Sequence, residues 1–285
     1  MPATPAPRLP HADRTLVMGV LNVTPDSFSD GGRYLDADAA IARGLALVEE
    51  GADIVDVGGE STRPGAQRVA PREEQARVLP VIAALTAEGI PVSIDTMRAA
   101  TAAAAVEAGA CLINDVSGGL ADERMAYVAA DTGVDYVAMH WRAHSTEMDD
   151  RDRYDDVVAE VAAELAARVD ALVRAGVSED RIVLDPGLGF AKVGDSNWPL
   201  LANLGQWSAG RRVLIGASRK RFLGAAISRH PDEEAGPERR EHATTAVTTL
   251  SAAAGAWAVR VHDARSACDA IAVVSAWQDA AKATR

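Results

Sequence analysis

Polar side chains gather where short apolar runs stop. Asn22 closes LVMGVLN, Asp56 lies in DIVDVG, Asp95 ends PVSID, and Asn114 and Asp115 end CLIND. Further along, His140 ends DYVAMH, Asp185 ends RIVLD, Ser218 follows RVLIGA, and Arg260 and His262 lie in AVRVHD. For a single Asp at such an end, capping of the next helix is the commoner role. A whole ring of polar ends is poorly explained by capping and points to a binding face. Two loops add to it. After the first run comes NVTPDSFSDGG, where Asn22, Thr24, Asp26, Ser27, Ser29 and Asp30 crowd beside Gly31 and Gly32, a composition for a loop that organises around a polar ligand. Ordinary turn chemistry accounts for its Pro, Asp, Ser and Gly but leaves Phe28 without a reason. The second loop, GGESTRPGA, offers Thr62 and Arg63 as donors to an anion next to the stiffening Pro64.

The elements that must position these groups follow from the rhythm of the chain. The apolar runs start at Leu16, Asp53, Pro91, Cys111, Asp135, Arg181, Arg212 and Ala258, and each is short, as expected of parallel strands covered on both faces. Between them, segments such as Ala37 to Glu50, Pro71 to Glu88, Tyr154 to Ala175 and His242 to Ala256 space Ala, Leu, Val and Ile at helical period, with Gly51, Gly89, Gly109, Gly133 and Gly176 just past helix ends. Repeated strand–helix units within 285 residues predict an α/β fold, a single closed (β/α)8 barrel of the TIM type, whose functional face lies at the carboxyl ends of the strands. An open doubly wound sheet is the alternative, but no G-x-G-x-x-G follows the first strand. Residues 1–14, rich in Pro and Ala, are expected to form a flexible tail, leaving 15–285 as the barrel domain.

Composition narrows the partners. A net charge of −12 argues against a general nucleic-acid surface, so any phosphate site is local. No apolar stretch reaches membrane-spanning length, and the start of the chain has neither a basic segment nor an apolar one of a signal peptide. Cys111 and Cys268 lie far apart, without ligand spacing, and are expected as buried reduced thiols of a cytoplasmic protein. The charged run from Ser228 to Glu241 reads as a solvated loop, and Trp198, Trp207, Trp257 and Trp277 as core or interface residues.

MGVLNVTPDSFSDGG, ESTRPGA, SIDT, INDVSGG, DPGLGFAK, GASRKRFLG and RVHD occur in this order at successive strand ends, and the set resembles the dihydropteroate synthases over Leu16 to Gln278. The resemblance implies a transferase of folate biosynthesis that condenses 6-hydroxymethyl-7,8-dihydropterin diphosphate with p-aminobenzoate to give 7,8-dihydropteroate and diphosphate. It implies pterin binding by Asp95, Asn114, Asp185, Lys220, Met139 and Arg260, and diphosphate binding by Ser61, Thr62, Arg63, Arg260 and His262. Phe28, Thr62, Pro64, Phe190, Ser218 and Lys220 would form the p-aminobenzoate slot, in which sulfonamides should compete. Asn22 would contact Mg2+, and Lys220, Arg63, Asp95 and Asp185 would carry the catalytic work.

Those assignments suit the chemistry. A pterin edge presents parallel N–H donors that carboxylates can accept, and amides can serve the neighbouring ring nitrogens and carbonyl. A homodimer through the last two helices, with Trp257 and Trp277, is also expected. A methyltetrahydrofolate-binding barrel is the nearest enzymatic rival, but it has no diphosphate to hold; a non-catalytic pterin-binding paralogue is the other. Turnover of the two substrates separates all three.

Overall fold

The computed structural model describes residues 9–24, 33–60, 69–142, 152–192, 194–230 and 235–283. All the expected strands form: β1 Leu16–Asn22, β2 Ile54–Gly58, β3 Val92–Asp95, β4 Leu112–Asp115, β5 Asp135–Met139, β6 Ile182–Asp185, β7 Arg212–Ile215 and β8 Ala258–Val261. They pair in parallel in chain order, and β8 closes on β1 to complete the barrel.

The crossover helices are α1 Arg33–Glu49, α2 Pro71–Ala87, α3 Ala99–Glu107, α4 Met125–Thr132 and α5 Val157–Arg174. Two short helices, α6 Asn197–Ala202 and α7 Leu204–Ser208, separate β6 from β7, and α8 Arg221–Ile227 and α9 Pro237–Ala253 separate β7 from β8. The last element among the described residues is α10 Ala264–Ala283. Local chemistry explains the boundaries. Asp156 caps α5, its Oδ1 accepting from the Val158 and Ala159 amides at 3.1 and 3.0 Å, and Val161, Leu165, Val169 and Leu172 make the helix's buried stripe. Helix α9 begins at Pro237, earlier than the apolar spacing from His242 suggests, because proline suits the first helical turn. The connection expected over Ser228 to Glu241 is correspondingly shorter.

Side-chain alternation divides the core in two. Leu16, Met18, Ile54, Leu112, Val137, Val183, Leu214 and Ala258 form a buried cluster inside the barrel. Their strand neighbours, including Val17, Val55, Ile113, Tyr136, Leu184, Ile215 and Val259, face the helices in the larger outer cluster. The inner cluster is a floor. Truncating Leu112, fully buried within it, to Ala should cost about 2–5 kcal/mol. Leu9 and Trp257 pack against the same cluster, and Arg14 pairs with Asp53 at 2.8 Å, so contacts with the barrel begin within the segment expected as a tail.

Both cysteines are free, Cys111 buried as expected, whereas Cys268 is only half-buried. Trp207 is core, and Trp198 meets the edge of Phe222 at 5.2 Å. Trp277 is 78% exposed on α10.

Candidate active site

Register carries the polar ends above the floor. Asn22 pairs with Gly58, Gly58 with Asp95 and Asp95 with Asn114, so four adjacent strands present one row; Met139 and Asp185 pair across β5 and β6. Alternation from the inward Met18, Ile54, Leu112, Val137, Val183 and Ala258 turns Asn22, Asp56, Asn114, Met139, Asp185 and Arg260 to the inside as well. Two glycines keep the space open. A Cβ on Gly58 would lie 3.5 Å from Asp95 Cβ and 3.8 Å from Asn22 Oδ1, and one on Gly216 would lie 3.6 Å from Asp185 Oδ2 and 4.0 Å from Arg260 Cβ.

Arg260 organises the centre. Its Nε donates to Asp56 Oδ2 at 2.5 Å and its terminal nitrogen to Asp95 Oδ2 at 2.7 Å, while Asn114 Nδ2 donates to the same Asp56 oxygen at 3.1 Å. Asp56 is fully buried; the sequence puts it in the ring of polar strand ends but gives it no ligand of its own. Its position two residues before Gly58, on the same face, is the signal that could have placed it in the site. Asp56 Oδ1 and the hydroxyl of its register partner Ser93 are buried without a hydrogen-bond partner among the described residues. Burial pushes the Asp95 carboxyl up to about 7, against the pull of Arg260 and with the help of Asp56. Burial likewise raises Asp185, with Lys220 the leading opposing charge.

Lys220 reaches the site from the turn before α8. Arg219, with φ at 59°, takes a left-handed conformation rare for a residue with a side chain; the Thr244 hydroxyl holds its amide at 3.1 Å and Glu241 pairs with its guanidinium. That turn sends Ser218 back to His262, with the hydroxyl 2.9 Å from Nδ1, and Lys220 forward to the Leu188 carbonyl. The Lys220 ammonium lies 4.8 Å from the centre of the Phe190 ring. Burial lowers Lys220 to about 8, with Asp185 acting against it. Arg260, Ser218 and His262 thus bring cationic and donor groups to one corner, at the ends of β7 and β8.

Two members of the polar ring turn away from this pocket. Asp115 points outward, where its carboxylate accepts from the Ser117 amide and hydroxyl at 2.8 and 2.7 Å, the Gly119 amide at 2.8 Å and the Tyr136 hydroxyl at 2.7 Å. It braces the loop after β4. His140 also points outward, to Glu164 and Lys192. Each follows an inward residue, Asn114 or Met139, and so takes the opposite face. Phe28, Ser61, Thr62, Arg63 and Pro64 lie outside the described residues.

A hard cation could use Asn22, whose half-buried amide stands at the inner end of β1. Among the described residues no group of three His, Cys, Asp or Glu is arranged to hold a metal. One neutral amide oxygen fits an ion such as Mg2+ that keeps waters and takes its other ligands from phosphate oxygens.

The family described as pterin binding enzyme matches residues 18–262. A relative from Mycobacterium leprae (strain TN), named dihydropteroate synthase, is 56% identical over 263 residues, which are 92% of this chain and 93% of that one. Among solved structures, Xanthomonas albilineans dihydropteroate synthase with 4-aminobenzoic acid matches at a TM-score of 0.86 and 44% identity, covering 96% of this chain and 98% of that chain. The Xanthomonas albilineans enzyme in complex with 7,8-dihydropteroate matches at 0.82 and 42% identity, covering 93% of this chain and 94% of that chain.

Proposed function

The chain belongs to the dihydropteroate synthases, pterin-binding transferases of folate synthesis, and from that membership we propose that it joins 6-hydroxymethyl-7,8-dihydropterin diphosphate to p-aminobenzoate by dissociative displacement of diphosphate. The observation that carries this reading is the group of Asp95, Asn114 and Asp185, buried over an apolar floor and next to the half-buried Lys220. Asp185 and Asp95 accept the parallel donors of the pterin edge, Asn114 serves the neighbouring ring atoms, and Met139 and Arg260 pack on the ring. Ser61, Thr62, Arg63, Arg260 and His262 hold the diphosphate. Phe28, Thr62, Pro64, Phe190, Ser218 and Lys220 form the slot for p-aminobenzoate and equally for a sulfonamide.

The bond that breaks joins the pterin methylene carbon to the diphosphate oxygen, and its electron pair leaves with the diphosphate. The electron-rich ring shares the positive charge, buried Asp95 and Asp185 stabilise it, and the arylamine nitrogen then bonds to carbon and loses a proton. The protein's donors strengthen their hold on the leaving group as its charge grows. Mg2+, contacted by Asn22, supplies further neutralisation of that charge when bound.

Assembly and location belong to the same reading. The exposed Val273 and Trp277, one turn apart on α10, support a homodimer through this helix; Trp257, also expected at that face, packs against the barrel floor instead. Among the described residues no helix is long and apolar enough to cross a membrane. Two free thiols support a cytoplasmic location.

The deciding experiment measures diphosphate release with each substrate alone and with both, with and without Mg2+. Release that requires both, accompanied by 7,8-dihydropteroate, is expected. No product from the pair, or equal release without p-aminobenzoate, sinks the reading.

A further inference from the structure

Behind the pocket wall, between the ends of β5 and β6, lies a cation that the proposed reaction does not use. Lys192 is 2% exposed. Its Nζ stands 2.8 Å from His140 Nδ1, and it donates to the Gly187 carbonyl at 3.2 Å and the Phe190 carbonyl at 3.0 Å. The Glu164 carboxylate, 2.9 Å from Nε2, can only accept, so the ring proton sits on Nε2 and Nδ1 accepts. Burial lowers Lys192 to about 7, with Asp185 the leading opposing charge, but its three acceptors call for the three donors of an ammonium. Burial, followed by the charge of Lys192, lowers His140 to about 4, in keeping with a neutral ring in this role. Arg142 completes the chain by donating from Nε to Glu164 at 3.2 Å.

Burying an ammonium is costly, and an apolar side chain packed there would be the cheaper way to fill the space. What Lys192 fastens is therefore informative. The two carbonyls it holds flank Leu188, whose own carbonyl accepts from Lys220, and one of them belongs to Phe190, whose ring faces Lys220. The turn has little freedom to settle elsewhere. Gly187 has φ at 66° and runs so close to the end of β5 that a Cβ there would lie 2.3 Å from the His140 carbonyl oxygen. Its amide donates to Asp185 Oδ1 at 2.7 Å, and the Gly189 amide donates to Asn197 Oδ1 at 2.7 Å.

We propose that Lys192 is a positioning residue for the p-aminobenzoate slot, clamping the Gly187–Phe190 turn to His140 so that the Leu188 carbonyl and the Phe190 ring hold Lys220 in place. The inference rests on the reading of Phe190 and Lys220 as slot residues. Of the two groups that Lys192 holds in place, the Phe190 ring belongs to the p-aminobenzoate slot alone and Lys220 to both sites, whereas Asp95, Asn114 and Arg260 hold the pterin from other strands, so its loss should act more on p-aminobenzoate than on the pterin.

The test compares Lys192→Met and Lys192→Arg with the wild-type enzyme. In Lys192→Met the KM for p-aminobenzoate should rise by about tenfold or more, while calorimetric pterin affinity changes by less than about threefold, the scale of losing buried charge-assisted contacts. Lys192→Arg, which keeps the charge and donors, should recover part of the difference. Hydrogen exchange of the Gly189 and Phe190 amides should quicken in Lys192→Met without any substrate present. An equal loss for both substrates, or unchanged KM and exchange in folded Lys192→Met, overturns the proposal. Should Lys192→Met not fold, His140→Phe keeps a ring but removes the acceptor, and the same substrate split is required of it; an unchanged KM there also overturns the proposal. If the wild-type enzyme does not condense the two substrates, the functional reading fails, while the exchange comparison still decides whether Lys192 clamps the turn.

Discussion

Asp56 and Arg260, 204 positions apart in the chain, meet through a 2.5 Å hydrogen bond from the guanidinium Nε to a carboxylate oxygen. The same oxygen receives the Asn114 amide, so one buried carboxylate orients two groups proposed to touch the pterin. Asp56→Asn keeps the shape and removes the charge. Pterin affinity should fall by about 10- to 100-fold, the scale of losing a charge-assisted hydrogen bond. Titration calorimetry on the folded variant checks this, and wild-type affinity would remove Asp56 from the site.

The pocket volume left by missing side chains is open to a direct test. Gly216→Ala places a methyl group in ordinary contact with Asp185 Oδ2 and Arg260 Cβ, at 3.6 and 4.0 Å, so the barrel should tolerate it. The melting temperature should shift by no more than about 2–4 °C, the equivalent of about 1 kcal/mol for a chain of this size. Pterin binding should nevertheless weaken by about tenfold or more, since the methyl occupies space beside the carboxylate that reads the ring. Unchanged affinity would show that the ligand does not come near Gly216.

Stability should carry the signature of Asp95. Its folded carboxyl is raised to about 7 by burial, above the roughly 3.9 of an unfolded chain. Between those values the folded protein binds more protons than the unfolded one, so this group's contribution to stability is greatest at low pH and is lost as pH rises through the window. Asp185 shifts in the same direction. Urea denaturation of the ligand-free protein between about pH 5 and about pH 8 should therefore show a decline that Asp95→Asn reduces, with a difference on the order of a few kcal/mol at most. Identical pH slopes in the two proteins would contradict an Asp95 carboxyl raised by burial.

The proposed dimer face can be broken without touching the pocket. Trp277 is 78% exposed and Val273 64%, one turn apart on α10, so Trp277→Glu puts a charge into the expected interface. Light scattering should find a dimer for the wild-type protein and a monomer for the variant, with pterin affinity retained. A wild-type monomer, or a variant that stays dimeric, would place the interface elsewhere or dispense with it.

Much of this architecture is local information. Each strand is a short apolar run and each of these helices a periodic one, so β1 to β8, helices α1, α2 and α5 and most of α9 could be drawn from neighbouring residues alone. The polar residues that end the runs, from Asn22 to His262, announced the functional face in the same way. Helices α6, α7 and α8 escaped because elements of 6, 5 and 7 residues offer too few turns for a period to show.

Other features depend on contacts between distant segments, and only the tertiary structure decided them. Parallel barrel strands are apolar on both faces, so hydrophobicity does not reveal which of Asn114 and Asp115, or of Met139 and His140, faces inward. Register across the closed sheet sets that phase, and it sent Asp115 and His140 outside. Barrel closure alone brings Arg260 on β8 to Asp56 on β2 and Asp95 on β3. Lys192, one basic residue after a glycine-rich loop, became a buried clamp because β5 supplies His140 and α5 supplies Glu164 behind it. The identity of each side chain was written locally, but its partner, its burial and hence its protonation were set by segments that meet only once the barrel has closed.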